Sequence, residues 1–135
     1  MLLLDTSVLV ESERGQFDLP VWLCEVDEPV YVCDATRLEF LAGEPLKDEG
    51  KRLRFRTFVQ RTLPLFPCLP LSADACDQAA ARIVLARSKG RTVPLGDALH
   101  AGVADAYGLE VVTMDTQHFK DMGLKSINPL KHPSA

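Results

Sequence analysis

The chain has 135 residues, 47% of them hydrophobic and 25% charged, which is the size and mixture of one globular domain and excludes disordered, collagen-like and coiled-coil chains. The formal net charge is -4, but residues 1–50 hold 12 acids and 3 bases whereas residues 51–91 hold 2 acids and 9 bases. A wholly basic nucleic-acid coat is thereby excluded, and a local basic stripe beside an acidic patch is not.

Leu2–Leu4 is a short apolar run that ends at Asp5-Thr6-Ser7, a buried strand followed by a turn. Val8–Glu13 reads as a short helix before Gly15, and Pro20–Val26 as a second, with Asp18 as N-cap and Pro20 in its first turn. Val30–Cys33 is β-branched and aromatic, hence a strand. Asp34 or Thr36 caps the helix Arg37–Ala42, which Gly43 ends. Asp48–Leu63 is an amphipathic basic helix, with Leu53, Phe55, Phe58, Val59 and Leu63 set against Lys51, Arg52, Arg54, Arg56 and Arg61. The prolines of Leu65–Leu71 leave room only for a short or edge strand. Ser72–Gly90 is a helix capped by Ser72 or Asp74. Pro94–Gly96 is a loop, Asp97–Tyr107 a helix stopped by Gly108, Glu110–Thr113 a strand, Asp115-Thr116 a turn and Lys125–Ile127 a final short strand. Strands alternating with helices predict an α/β domain over residues 1–135, with a mainly parallel sheet covered on both faces.

The cysteines at 24, 33, 68 and 76 have neither Cys-x-x-Cys spacing nor a histidine pair to complete a zinc pattern. They are expected as buried free thiols of a reducing compartment, which predicts a cytoplasmic protein. Asp5 ends the apolar start too early for a signal peptide, and no run approaches the roughly 20 apolar residues of a membrane span.

In a parallel sheet the strands end at one edge, the following helices begin there, and ligands bind there. Asp5, Glu39, Asp97 and Asp115 all fall at that edge. Each has a structural explanation by itself: an Asx turn or cap for Asp5, a Thr36-x-x-Glu39 capping box, a helix-dipole partner in Asp97, and a turn at Asp115. Together, four converging carboxylates repel one another and raise each other's pKa, and a divalent cation removes that penalty. Mg²⁺ and Mn²⁺ prefer such oxygen ligands and leave room for a substrate phosphate. Thr6, Ser7 and Thr113 can orient the carboxylates or serve as caps.

At Leu3-Leu4-Asp5-Thr6-Ser7-Val8-Leu9, Thr36–Gly43, Gly96–Gly102 and Val111–Thr116 the sequence resembles the PIN-domain ribonucleases, and more narrowly the VapC toxins of toxin–antitoxin pairs. Order, spacing and length agree from end to end. The resemblance implies a PIN-like three-layer α/β fold. It implies a metal site of Asp5, Glu39, Asp97 and Asp115 with Ser7 and Thr113 as polar support. The implied activity is Mg²⁺- or Mn²⁺-dependent RNA hydrolysis by metal-activated water, in a homodimer masked by a cognate antitoxin. His100 departs from the apolar residue common in the family. It lies one turn from Asp97, so it either touches the site or is a buried histidine with a local partner.

Lys51, Arg52, Arg54, Arg56 and Arg61, with Arg82, Arg87, Lys89 and Arg91, are candidates for holding RNA, or form solvated helix faces. Val21, Trp22, Leu23, Val26, Phe55 and Phe58 are candidates for a groove that takes an antitoxin helix, or pack the core. The alternatives carried are a catalytically silent PIN module that binds RNA or a partner, a DNA nuclease using the same chemistry, and a receiver-like signalling domain. The last is disfavoured because Asp5 stands alone where an acidic pair is expected.

Overall fold

The computed structural model describes residues 1–130. Five strands, β1 (Leu2–Leu4), β2 (Val30–Cys33), β3 (Cys68–Leu69), β4 (Glu110–Val112) and β5 (Ser126–Ile127), form one sheet in the order β3-β2-β1-β4-β5. Every pairing is parallel. Among the described residues seven α-helices cover it: α1 (Thr6–Glu13), α2 (Leu19–Glu25), α3 (Asp34–Ala42), α4 (Glu49–Thr62), α5 (Ala73–Ser88), α6 (Leu95–Tyr107) and α7 (Thr116–Asp121).

The continuous apolar strands serve two cores because successive strand residues face opposite ways. Leu3, Cys33 and Val111 join Ala75 and Ala86 of α5, Ala98, Ala101 and Ala104 of α6, and Phe119 of α7. Leu2, Leu4, Val32 and Val112 join Val8 and Leu9 of α1, Leu19 and Trp22 of α2, and Phe55 of α4. Helix α3 serves both, through Ala35 on one side and Phe40 on the other.

Local signals place most boundaries. Asp18 accepts from the Val21 amide at 3.1 Å, Asp48 from Lys51 at 3.0 Å and Ser72 from Ala75 at 3.1 Å, each at a helix start. Gly108 ends α6 at φ 70°, a left-handed cap that glycine adopts without a Cβ penalty. Strand β3, limited to two residues by Pro67 and Pro70 on either side, is at the edge, where the amide donors those prolines lack are not needed.

Four expectations are corrected. Helix α1 begins two residues early, at Thr6, directly after Asp5. Helix α3 begins at Asp34 with Cys33 at the N-cap, so Asp34 is inside the helix and its carboxylate instead accepts from the Leu71 amide at 3.1 Å. The turn at Asp115-Thr116 starts a helix, α7. Of the four free cysteines only Cys33 is buried, because Cys24 and Cys76 lie on outward helix faces and Cys68 on the edge strand.

Candidate functional site

The chain leaves β1 toward β2 and β3 on one side and returns to β4 and β5 on the other, so the β1–β4 boundary is the point at which strand order switches. Asp5 stands there. Its amide donates to the Val112 carbonyl at 2.9 Å, extending the ladder by one residue and fixing the side chain's origin. Its Oδ2 accepts from Thr113 Oγ1 at 2.8 Å and from Ser7 Oγ at 2.9 Å. Both hydroxyls also accept backbone amides, Thr113 from Asp115 and Ser7 from Met114, at 3.0 Å each. Asp5 is therefore 4% exposed yet held on one oxygen by two anchored donors.

Glu39 comes from α3. The expected Thr36–Glu39 capping box does not form, because the helix starts earlier and Thr36 is itself at N3, where its hydroxyl accepts from the Cys33 amide at 3.1 Å. Glu39 is thus free of capping. Its Oε1 accepts from Thr6 Oγ1 at 2.8 Å. Its carboxylate lies where a Cβ on residue 96 would overlap it, so glycine at that position leaves the carboxylate its place.

Asp97 is in the first turn of α6 and Asp115 is the N-cap residue of α7. His118, one turn into α7, ties them together: its Nδ1 lies 2.6 Å from Asp97 Oδ2 and 3.0 Å from Asp115 Oδ2. Sequence reading missed His118, although its i,i+3 spacing from Asp115 was available as a signal. Burial raises the Asp97 pKa and the nearby Asp5 charge adds to it, while His118 opposes both.

His100 is completely buried beneath the first pair of acids, 3.6 Å from Asp5 Oδ1 and 3.9 Å from Glu39 Oε1. Its Nδ1 donates to the Gly96 carbonyl at 2.7 Å, and its Nε2 lies 2.8 Å from Thr36 Oγ1. A charged ring satisfies every group: Nε2 donates to Thr36, whose hydroxyl donates onward to the Leu4 carbonyl at 3.2 Å. Burial alone would discharge His100, but hydrogen bonding to Cys33, the charges of Asp5 and of an ionised Cys33, and the Gly96 carbonyl outweigh it and push the pKa up to about 9. His100 is thus a buried imidazole facing Asp5 and Glu39, with a pKa raised in the direction that favours its charged form. Although Asp5, Glu39 and His100 offer atoms within 4.8 Å of one another, both ring nitrogens of His100 are committed to protein partners.

The residues fit a divalent cation. Among the described residues, imidazoles are the only cationic side chains in ion pairs with these four carboxylates; no lysine or arginine pairs with them. Hard oxygen donors dominate, and Gly96 keeps one of them unobstructed.

The basic candidates divide. Arg52 and Arg56 share Glu44 at 3.3 and 2.9 Å, and Arg54 meets Glu13 at 3.4 Å. Arg82 clamps Asp105 at 2.7 Å and donates to the Met122 and Gly123 carbonyls, fastening α7 to α5 and α6. Lys51, Arg61, Arg87, Lys89 and Arg91 are exposed. Of the groove candidates, Trp22 and Phe55 are core residues, 6% and 5% exposed. Leu23 and Phe58 line a cleft of about 540 Å³ with Phe17, Leu19 and Leu65.

A parallel sheet with an acidic, cation-deficient site at its switch point defines an α/β protein suited to metal-assisted chemistry on phosphates. The family model for the PIN domain matches residues 2–125, and the chain belongs to the PIN domain family. It is 36% identical to the plasmid stability protein StbB of Pseudomonas syringae pv. tomato, over 96% of this chain and 98% of that one. It is 31% identical to the ribonuclease VapC of Rickettsia bellii, over 88% of each. Its structure is similar to that of FitAcB from Neisseria gonorrhoeae, with a TM-score of 0.83 and 27% identity over 98% of this chain and 100% of that one.

Proposed function

We propose that the protein is a metal-dependent endoribonuclease and the toxin of a toxin–antitoxin pair, acting as one PIN-like domain over its whole length. What supports this reading is the pairing of Asp5 and Glu39 around His100 and of Asp97 and Asp115 around His118, with no lysine or arginine in an ion pair with any of the four among the described residues. Its likeness to a protein named ribonuclease VapC supports the choice of RNA.

Asp5, Glu39, Asp97 and Asp115 would hold Mg²⁺ or Mn²⁺. A divalent cation there supplies charge neutralisation at the scissile phosphate and a more acidic water. Thr113 and Ser7 hold Asp5 by one oxygen. Thr6 orients Glu39. His100 offsets the repulsion between Asp5 and Glu39 from beneath. With both nitrogens engaged and no exposure, His100 cannot pair with His118 as acid and base for attack by the RNA 2′-hydroxyl.

A cognate antitoxin would take the apolar cleft lined by Leu23 and Phe58, between α1, α2 and α4. The active form would be a homodimer. The cytoplasm suits four cysteines that are all free, and among the described residues no helix is long and apolar enough to cross a membrane.

The test is cleavage of total cellular RNA by the purified protein with Mg²⁺ or Mn²⁺, with EDTA, and beside Asp5→Ala. Discrete fragments that require both the cation and Asp5 are expected. Intact RNA under cation, with duplex or single-stranded DNA cut instead, would overturn the choice of substrate. No cleavage of either by folded protein would leave a binding module.

A further inference from the structure

Two clefts flank α4, and their chemistry differs. The cleft toward α2 is apolar. The other has a volume of about 430 Å³ and opens between the ends of α1 and α3 and the first turns of α4. Phe40 and Phe55 lie in its floor, while Arg14, Lys51 and Arg54 line it from the surface. Glu39 also lines it, and this is the carboxylate that Thr6 holds in the acidic site. Cleft and site therefore share a wall.

We infer that this cleft is a nucleotide subsite, holding the RNA residue beside the cleaved phosphodiester with Arg14 and Lys51 on its phosphates. The inference rests on the nuclease reading of the acidic site. Four carboxylates repel an approaching polyanion, so a strand can be presented to them only if cations stand close by, within about 10 Å at ordinary salt. The cations of α4 that could do this are few. Arg52 and Arg56 are occupied by Glu44, and Arg54 is half-neutralised by Glu13. Arg14 and Lys51 have no carboxylate within ion-pair distance among the described residues, and both are exposed. The volume lies in the range of about 300–1,000 Å³ that small-molecule sites occupy. An apolar floor below a lining in which Arg14, Lys51 and Arg54 outnumber Glu13 and Glu39 suits a base or sugar lying inward with its phosphates outward. A protein segment is the poorer occupant, since the apolar cleft on the other flank of α4 offers it more and the charge here matches phosphate.

Binding of a fluorescein-labelled oligouridylate, followed by anisotropy in EDTA so that no cleavage occurs, tests the subsite. The parent chain is compared with the double variant Arg14→Ala/Lys51→Ala and with Lys120→Ala/Lys125→Ala, which removes the same charge from exposed positions elsewhere. The first double variant is expected to bind roughly tenfold more weakly, with a salt slope reduced by about 1.4, the value for two lost phosphate contacts on a single strand. The second is expected to match the parent. Equal losses in both variants would reveal diffuse attraction and overturn the subsite. So would unchanged binding in the first variant, which would leave the cleft to a protein segment, or a parent that does not bind the oligonucleotide. Cation-dependent RNA cleavage by the parent is scored separately. Cleavage with unchanged binding in Arg14→Ala/Lys51→Ala overturns the subsite and spares the nuclease. Cleft-dependent binding without cleavage by the cation-loaded parent overturns the nuclease and with it the placement of the subsite beside a cleaved phosphodiester, leaving the cleft as an RNA-binding site alone.

Discussion

Asp5 depends on hydroxyls that arrive from two other parts of the chain. Thr113 both donates to its Oδ2 and accepts the Asp115 amide, so one hydroxyl links two of the four acids. Thr113→Val keeps the shape and removes the link. It is expected to lower Mn²⁺ affinity and RNA cleavage by about 10- to 100-fold, the usual cost of losing a group that orients a metal ligand; titration calorimetry and cleavage rates measure the two effects. His100 gives a pH prediction. Its folded pKa of about 9 exceeds its ordinary 6.5, so its protonation stabilises the folded chain. That contribution is complete below about pH 6.5 and is lost as pH rises through about 9, a span worth about 3 kcal/mol. Urea unfolding in EDTA across this range is expected to show the decline, and His100→Leu to flatten it.

At the scale of elements, α6 carries the most constraint. Its N-terminal turn supplies Asp97 and its inner face supplies His100, while Gly102 lets α5 approach so closely that a Cβ would overlap the Ala75 carbonyl and meet Ala79. Helix α6 cannot move away without displacing the Asp97 carboxylate and the His100 ring together. Gly102→Ala is expected to destabilise the fold by about 1–3 kcal/mol through overpacking, read as a lower urea midpoint. The same substitution at Gly96 has a different expected outcome. Gly96 lies at the helix start, where its missing Cβ makes room for Glu39. Gly96→Ala is expected to leave the melting temperature close to the parent's and to reduce cleavage sharply.

For the whole molecule, the proposed cation site makes a prediction about stability. A cation that binds only the folded chain stabilises it by mass action, by roughly 3 kcal/mol at about 100 times its Kd. For a chain of this length that raises the melting temperature by roughly 10 °C. Differential scanning fluorimetry with Mn²⁺ is expected to show that rise in the parent and to lose most of it in Asp5→Asn. A rise of equal size in both would place the cation elsewhere.

The sequence by itself determined what is local: strand β2, the caps at Asp18 and Ser72, the Gly108 stop, and the sheet type that follows from short apolar strands between helices. These are decided by backbone donors, left-handed φ values and side-chain periodicity, all of which act within a few residues. It also predicted that Asp5 and Asp115 follow strand ends, because a parallel sheet sends every strand end the same way. Only the tertiary structure decided how the four acids are divided, with His100 under Asp5 and Glu39 and His118 between Asp97 and Asp115. It likewise released Glu39 from the expected capping box and engaged Arg52, Arg56 and Arg82 in ion pairs. Each of these outcomes depends on a partner far along the chain or on a one-turn shift in a helix start, and neither is fixed by local spacing.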